Sequence, residues 1–338
     1  MKTENKQYAG GWIKRFLTEY IITEKNLSKN TQLSYRDTFR LMLVFTVKRT
    51  KKTVDKILLE DFSMDSIKDF LSDLESRRKC SISTRNQRLA AIHAFAKFVG
   101  LYSPENVEWC RLLNIIPFKK AQTKLITYLE KPEMDALLNA PDRTTKLGKR
   151  DYALLLFLYN TGARAEEAAK LSIGDLSLPT SSKKGFATVT VRGKGNKLRK
   201  CPLWDKTVEE LWLLISERAS SEPVFLNRLN QPITRFGIFS MVNKYAKLVA
   251  NEFPGIKEKR ISPHTIRHTT ATHLLQSGID INTIRAWLGH VSINTTNIYA
   301  EINIKMKAKA LACCEIVKDK EVSHWRDDKN LMDFLDNL

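Results

Sequence analysis

Four of the six histidines, His264, His268, His273 and His290, fall in one stretch with Arg267, and Tyr299 follows nine positions after His290. Upstream, Thr161-Gly162-Ala163-Arg164 puts an arginine directly behind a helix-breaking glycine, and Lys194 stands in a glycine-rich turn. These residue types suit attack on a phosphodiester without a metal. That reaction needs a nucleophile, positive donors for the two non-bridging oxygens and an acid for the leaving oxygen. Arginines serve the oxygens, because a guanidinium gives bidentate bonds and keeps its charge. Histidines donate to the same oxygens and relay protons near neutral pH. A lysine on a hairpin tip can reach into a groove and protonate a departing oxygen. Tyrosine is a poor nucleophile at a pKa of about 10, and surrounding cations lower the cost of its phenolate.

Each residue has a plainer role available. Arg164 could cap a helix, Lys194 could be a solvated turn lysine, and Tyr299 could be a core tyrosine. His264 and His268 are four apart, as zinc ligands on a helix can be, but Thr265 stands where a metalloprotease HExxH motif needs Glu. His268 and His273, set among Thr269, Thr270 and Thr272, are expected to be structural, as are Trp287 and Leu288. Glu167 is expected to buttress Arg164, since a buried arginine needs a partner.

The elements that must position these residues can be read from periodicity and caps. Up to residue 118 the chain reads as helical. One helix follows Ser28, a second runs from about Met64 to Arg77, and a third follows Ser83 as N-cap and ends near Gly100. The third carries Leu89, Ile92, Phe95, Ala96 and Val99 on its apolar side. Its first turns carry Arg85, Asn86 and Arg88, candidates for phosphate contacts. Pro117–Thr127 reads as a basic connection with Lys119, Lys120 and Lys124, of which Lys119 and Lys120 are candidate DNA contacts. Beyond it, helices are expected at Lys131–Leu138, Asp151–Asn160, Thr207–Ala219, Arg235–Asn251, Thr265–Ser277, Ile281–Leu288 and Asn294–Ala300. Residues 187–203 alternate as a β-hairpin turning at Gly193–Asn196.

Composition narrows the partner. The chain has 338 residues, with 56 Lys and Arg against 37 Asp and Glu, a net charge of +19. Residues 1–120 carry an excess of ten positive charges and residues 121–338 an excess of nine. A basic excess in both parts points to one shared polyanion, nucleic acid first. No basic amphipathic helix or lipidation signal suggests a membrane partner. The first twenty residues lack an apolar core, so no secretory signal is expected, and no apolar run is long enough to span a bilayer. The cysteines, Cys80, Cys110, Cys201, Cys313 and Cys314, are odd in number and lack CxxC spacing, which fits reduced thiols in a cytosol.

In this order the motifs resemble the tyrosine recombinases, the phage integrase family. TGAR resembles the first-arginine motif, and RGKGNKLRKCPL the catalytic hairpin. SPHTIRHTTATHLLQSGIDINTIRAWLGH resembles the HxxR and LGH motifs, and TTNIYA the nucleophile motif. The resemblance implies Arg164, Lys194, His264, Arg267, His290 and Tyr299 as catalytic residues, with Lys197 and Arg199 beside the hairpin tip as DNA contacts. It implies a mainly α fold with a small antiparallel β-sheet, in two domains that clamp DNA as a C. Residues 1–118 would form a helical core-binding domain, 119–127 a linker, 128–322 the catalytic domain and 323–338 a tail helix. The tail, with Leu331, Met332, Phe334, Leu335 and Leu338 as an apolar stripe, either caps its own domain or docks on a neighbouring subunit. No arm-binding domain is expected before residue 10.

The resemblance further implies cleavage and rejoining of a specific double-stranded DNA site through a 3′-phosphotyrosyl intermediate. It implies a homo-tetramer on paired sites, with or without other recombinase subunits, and no metal, ATP or other cofactor. A cytoplasmic, nucleoid-associated enzyme is expected. The wording of the catalytic part resembles enzymes of bacterial mobile elements; phage integrases and chromosome-dimer resolvases remain alternatives. Two other readings stay open: a non-cutting DNA-binding accessory subunit, and relaxation of the type IB topoisomerase kind.

Overall fold

The computed structural model describes residues 8–121, 126–178, 186–289, 333 and 335–337, and Lys194 only in its backbone. The predicted helix at Asn294–Ala300, His290, Tyr299 and the tail stripe apart from Leu335, which is exposed, therefore lie outside the described residues. The chain divides into two compact units, Met1–Lys124 and Leu125–Leu338.

The first unit is helical: α1 (Ala9–Arg15), α2 (Lys29–Thr50), α3 (Met64–Ser76), α4 (Ile82–Tyr102) and α5 (Val107–Asn114). Between α1 and α2 the helix widens over Phe16–Glu24, where Lys25 N bonds Tyr20 O five residues back. Phe16 sits at the centre, with ring contacts to Phe39, Phe95 and Phe98 at 5.4–5.7 Å. Helix α2 starts after Ser28 as expected, with the Ser28 hydroxyl accepting from Thr31 N. Helix α4 departs from expectation at both ends. Its N-cap is Ser81, whose hydroxyl accepts from Thr84 N, and it runs through Gly100 to Tyr102. Gly100 is there for clearance, not termination, because a Cβ on it would lie 2.9 Å from Cys110 Sγ of α5.

The second unit comprises α6 (Lys131–Asn139), α7 (Lys146–Thr161), α8 (Ala165–Ala169), α9 (Asp205–Ile215), α10 (Arg235–Val249), α11 (Pro254–Lys257), α12 (Pro263–Gln276) and α13 (Ile281–Leu288). Its sheet joins β1 (Leu176–Ser177), β2 (Thr188–Arg192) and β3 (Leu198–Pro202), antiparallel, in the order β1-β2-β3. The mainly helical architecture with a small antiparallel sheet agrees with the sequence reading. Helix α7 is the spine, buried along most of its length from Asp151 to Thr161. It begins a turn and a half before the apolar run that reveals it, capped by Thr145. Helix α12 lies against it, with Thr270 Oγ1 donating to Tyr159 O at 2.7 Å. It starts at Pro263, ahead of the predicted Thr265, because proline at a first helical position needs no N–H partner. In the hairpin, Val189, Val191 and Cys201 point into the core while Arg192, Leu198 and Lys200 stay exposed. No described helix is long and apolar enough to cross a membrane.

Candidate active site

Helix α7 ends because Gly162 adopts a left-handed conformation (φ +60°), and α13 ends the same way at Gly289 (φ +66°). The first of these turns leads directly into Arg164. Arg267, on α12 between them, is only 3% exposed. Its Nη1 donates to Gly162 O and its Nη2 to Leu288 O, both at 2.6 Å. One buried guanidinium thus ties the end of the TGAR turn to the end of the LGH helix. Both acceptors are carbonyls at a helix C-terminus, where a cation is favoured.

Arg164 opens α8. Its backbone N–H donates to Glu167 Oε2 at 2.9 Å and its guanidinium to Glu167 Oε1 at 2.7 Å. Glu167 is buried and also accepts from Arg199 of β3, Nη2 to Oε2 at 2.7 Å. Burial alone would raise the Glu167 pKa. The Arg199 hydrogen bond and charge, with the Arg164 bonds, outweigh it and hold the carboxyl below its ordinary value. The expected buttress of Arg164 is present, and it has a second arm.

His264, on the first turn of α12, presents an exposed ring near these groups. Partial desolvation and the charges of Arg267 and Arg164 lower its pKa. His268 is pulled down to about 4 by burial, His264 and Arg267. His273 Nδ1 and the Tyr159 hydroxyl share a hydrogen bond of 2.7 Å. His268 and His273 therefore sit in the packing of α12, as their threonine surroundings suggested. Trp287 is also structural: its indole N–H donates to Asn160 O at 3.2 Å. Lys194 follows Gly193 just beyond the end of β2 at Arg192, in a turn whose Gly195 has φ +73°.

Comparison with known proteins decides the family. The model of the phage integrase family matches residues 127–306, and that of the phage integrase N-terminal SAM-like domain matches residues 13–100. A Sinorhizobium fredii protein named as an integrase/recombinase, y4rC, is 36% identical over 328 residues, 96% of this chain and 97% of that one. The chain belongs to the phage integrase family. The tyrosine recombinase XerC of Pelotomaculum thermopropionicum is 30% identical over 294 residues, 84% of this chain and 91% of its own. Among solved structures, the XerH site-specific recombinase bound to palindromic difH substrate matches with a TM-score of 0.67 at 22% identity, covering 93% of this chain and 98% of XerH. The Tn1549 transposon integrase with a circular intermediate DNA also gives a TM-score of 0.67, at 16% identity, over 91% and 99% of the two chains. This tyrosine recombinase is accordingly a DNA strand-exchange enzyme.

Several of the integrase's expected DNA contacts are engaged inside the protein. Arg85 is 6% exposed. Its Nη1 donates to Asn86 Oδ1 and to Pro117 O, both at 3.0 Å, and its Nε faces Glu75 at 3.5 Å. Asn86 holds Lys119 by both backbone groups, Nδ2 to O at 2.7 Å and N to Oδ1 at 3.1 Å. Arg88 donates to Ser34 O and Thr38 Oγ1 of α2 at 2.9 and 3.1 Å. Segment 117–119 thus covers the start of α4, held there by Arg85 and Asn86, while Arg88 is bound to α2. Lys119 is exposed and pairs with Glu75 at 2.7 Å, while Lys120 and Lys197 are exposed.

Arg199 is likewise engaged inside the protein, its side chain 8% exposed and bound to Glu167. The signal was in the strand parity. Residues two apart on a strand share a face, so Arg199 points inward with Cys201, whereas Lys200 points out. Asn160 escaped notice altogether. It is buried, its Oδ1 accepts from Trp204 N and its Nδ2 donates to Pro202 O, joining α7 to the end of the hairpin.

Proposed function

We propose that this enzyme is a site-specific recombinase that cleaves and rejoins double-stranded DNA through a 3′-phosphotyrosyl intermediate, in the service of integration, excision or transposition of a DNA element. Tyr299 is the nucleophile. Its oxygen attacks the scissile phosphorus, a Tyr299–phosphate bond forms and the bond to the 5′-oxygen breaks. Lys194 gives the departing oxygen its proton, leaving a free 5′-hydroxyl. Arg164 and Arg267 meet the negative charge on the non-bridging oxygens, with His264 and His290 as hydrogen-bond donors and proton carriers. The reverse attack, by the 5′-hydroxyl of a partner strand, rejoins DNA and releases Tyr299. The phosphotyrosine conserves the bond energy, so strand exchange needs no nucleotide hydrolysis. Exchange between two duplexes calls for paired sites and a tetramer of this chain, with or without other recombinase subunits.

The observation that carries this reading is the pair of Arg267 bonds to Gly162 O and Leu288 O. They bring the chain positions flanking Arg164 and His290 onto the helix that bears His264. The XerH and Tn1549 integrase complexes contain DNA, which supports DNA as the ligand of this fold.

The test is covalent trapping. A DNA site is first selected from random duplexes by binding to the Tyr299→Phe chain. It is then presented, nicked beside the scissile phosphate, to wild type and to Tyr299→Phe. A protein–DNA adduct that resists denaturation is expected with wild type alone. An adduct in both proteins would remove Tyr299 from its role, and none in either would favour a binding subunit over an enzyme.

A further inference from the structure

Arg199 lies within the hairpin motif RGKGNKLRKCPL but is not among the residues assigned to the reaction. Its Nη2 bonds Glu167 Oε2, the same oxygen that accepts the Arg164 backbone N–H. Glu167 Oε1 in turn holds the Arg164 guanidinium. The stem of Arg199 packs on Gly289, where an added Cβ would lie 3.1 Å from Arg199 Cδ and 3.4 Å from Nη1. The same guanidinium borders Gly193, where a Cβ would lie 3.3 Å from Glu167 Oε1 and 3.5 Å from Arg199 Nη1. Gly193 immediately precedes Lys194, and Gly289 immediately precedes His290. Neither glycine could be larger without displacing this ion pair. Side chains of Arg199 and Glu167 are 8% and 5% exposed, so water does not compete for the bond.

A carboxylate with two oxygens and two arginines is a geometric device. Were Arg199 absent, Glu167 could turn about its terminal torsion, and Arg164, 31% exposed, would be held by one flexible contact. With Arg199 present, the carboxylate plane is fixed from the sheet side and Arg164 is aimed from the helix side. We propose that Arg199 is a positioning residue for the phosphodiester reaction, acting through Glu167 to hold the Arg164 guanidinium where the non-bridging oxygens of the scissile phosphate bind.

The proposal rests on the recombinase reading, and its test separates the two. Single-turnover cleavage is measured on the selected nicked duplex with an ordinary scissile phosphate, and on the same duplex with a methylphosphonate there. The methyl group removes the charge that Arg164 must meet. Arg199→Met is expected to slow cleavage of the phosphodiester by about 100-fold, the scale of a misplaced catalytic group. On the methylphosphonate the loss should shrink to under about 10-fold, and the DNA dissociation constant should stay within about 3-fold of wild type, since Arg199 is not a DNA contact. Arg199→Lys, which keeps the charge without the fork, should fall between the two. It carries the same comparison if Arg199→Met does not fold by circular dichroism.

Equal losses on both substrates would overturn the proposal, because a merely structural defect does not distinguish them. So would weakened DNA binding with unaltered cleavage of bound DNA, or no loss at all. If wild type forms no adduct on either substrate, the recombinase reading itself fails, and this role with it.

Discussion

A guanidinium taken out of water must find acceptors for donors that solvent no longer satisfies. Arg267 finds two helix-end carbonyls, and Arg199 finds Glu167. A buried histidine has the opposite recourse, since it can stay neutral. His268 does so, with a pKa pulled to about 4 by burial, His264 and Arg267. The consequence for stability has a definite sign. In the unfolded chain His268 takes up its proton near pH 6.5, but the folded chain resists until about pH 4. Its contribution is therefore complete above pH 6.5 and is lost as pH falls toward 4. Between pH 7 and pH 5 the loss amounts to ~2 kcal/mol. Urea unfolding at both pH values should show His268→Gln losing less stability than wild type by about that amount. His264 and His273, shifted the same way, supply part of the loss that remains. Identical losses in the two proteins would mean that His268 is protonated in the fold. Arg164, His264 and Arg267 stand out in the sequence because their types and order suit phosphodiester chemistry. The burial of Arg199 could be read only by following strand parity from Cys201. That of Arg85 could not be read, because its covering segment, 117–119, comes from thirty residues away and leaves no local trace in the helix pattern.

At the scale of elements, the site depends on where α7 and α13 stop. Gly162 does two things there: it takes φ +60°, and it leaves room for Leu288, since a Cβ would lie 2.5 Å from Leu288 Cδ2. The left-handed conformation alone costs a side-chain-bearing residue ~1 kcal/mol, and moving Leu288 adds to it. Gly162→Ala should therefore lower the urea unfolding free energy by about 1–2 kcal/mol. It should also slow adduct formation, because Leu288 O and Gly162 O are the acceptors that seat Arg267. An unchanged unfolding curve would show that the two helix ends are not packed as described. These helix ends could be read from the sequence, because Gly162 stands just beyond the apolar run Tyr152–Tyr159 and Gly289 directly after Trp287 and Leu288. The hairpin could be read from Val189 and Val191 alternating with threonines. Other boundaries were hidden by tertiary causes. Gly100 resembles a helix end but serves the approach of α5, and Ser81 outcompetes Ser83 as N-cap by its bond to Thr84 N. Strand β1, two residues long, has too little pattern to see and exists through its pairing with β2.

For the molecule as a whole, the net charge of +19 is shared by both parts of the sequence, and a polyanion is the partner such a chain would seek. Charge in the composition does not equal charge available to DNA, however. Arg85 and Arg199 are buried in ion pairs, and Arg88 is spent on α2. Lys120 is exposed and makes no ion pair among the described residues. The two kinds of basic residue should separate in a salt titration. Each phosphate neutralised releases counterions, so log K falls with log salt at a slope of roughly −0.9 per contact on duplex DNA. Lys120→Gln should flatten that slope by about one unit and weaken binding to all sequences alike, without changing the unfolding temperature. Arg85→Gln should do the reverse. It should leave the slope intact and destabilise the first unit by about 1–2 kcal/mol, the cost of leaving Pro117 O and Asn86 Oδ1 without their buried donor. Fluorescence anisotropy on the selected duplex from 50 to 200 mM salt, set beside thermal unfolding of both variants, reads the two effects independently. If Arg85→Gln flattens the slope, the start of α4 faces phosphate after all, and segment 117–119 must lift away from it when DNA binds.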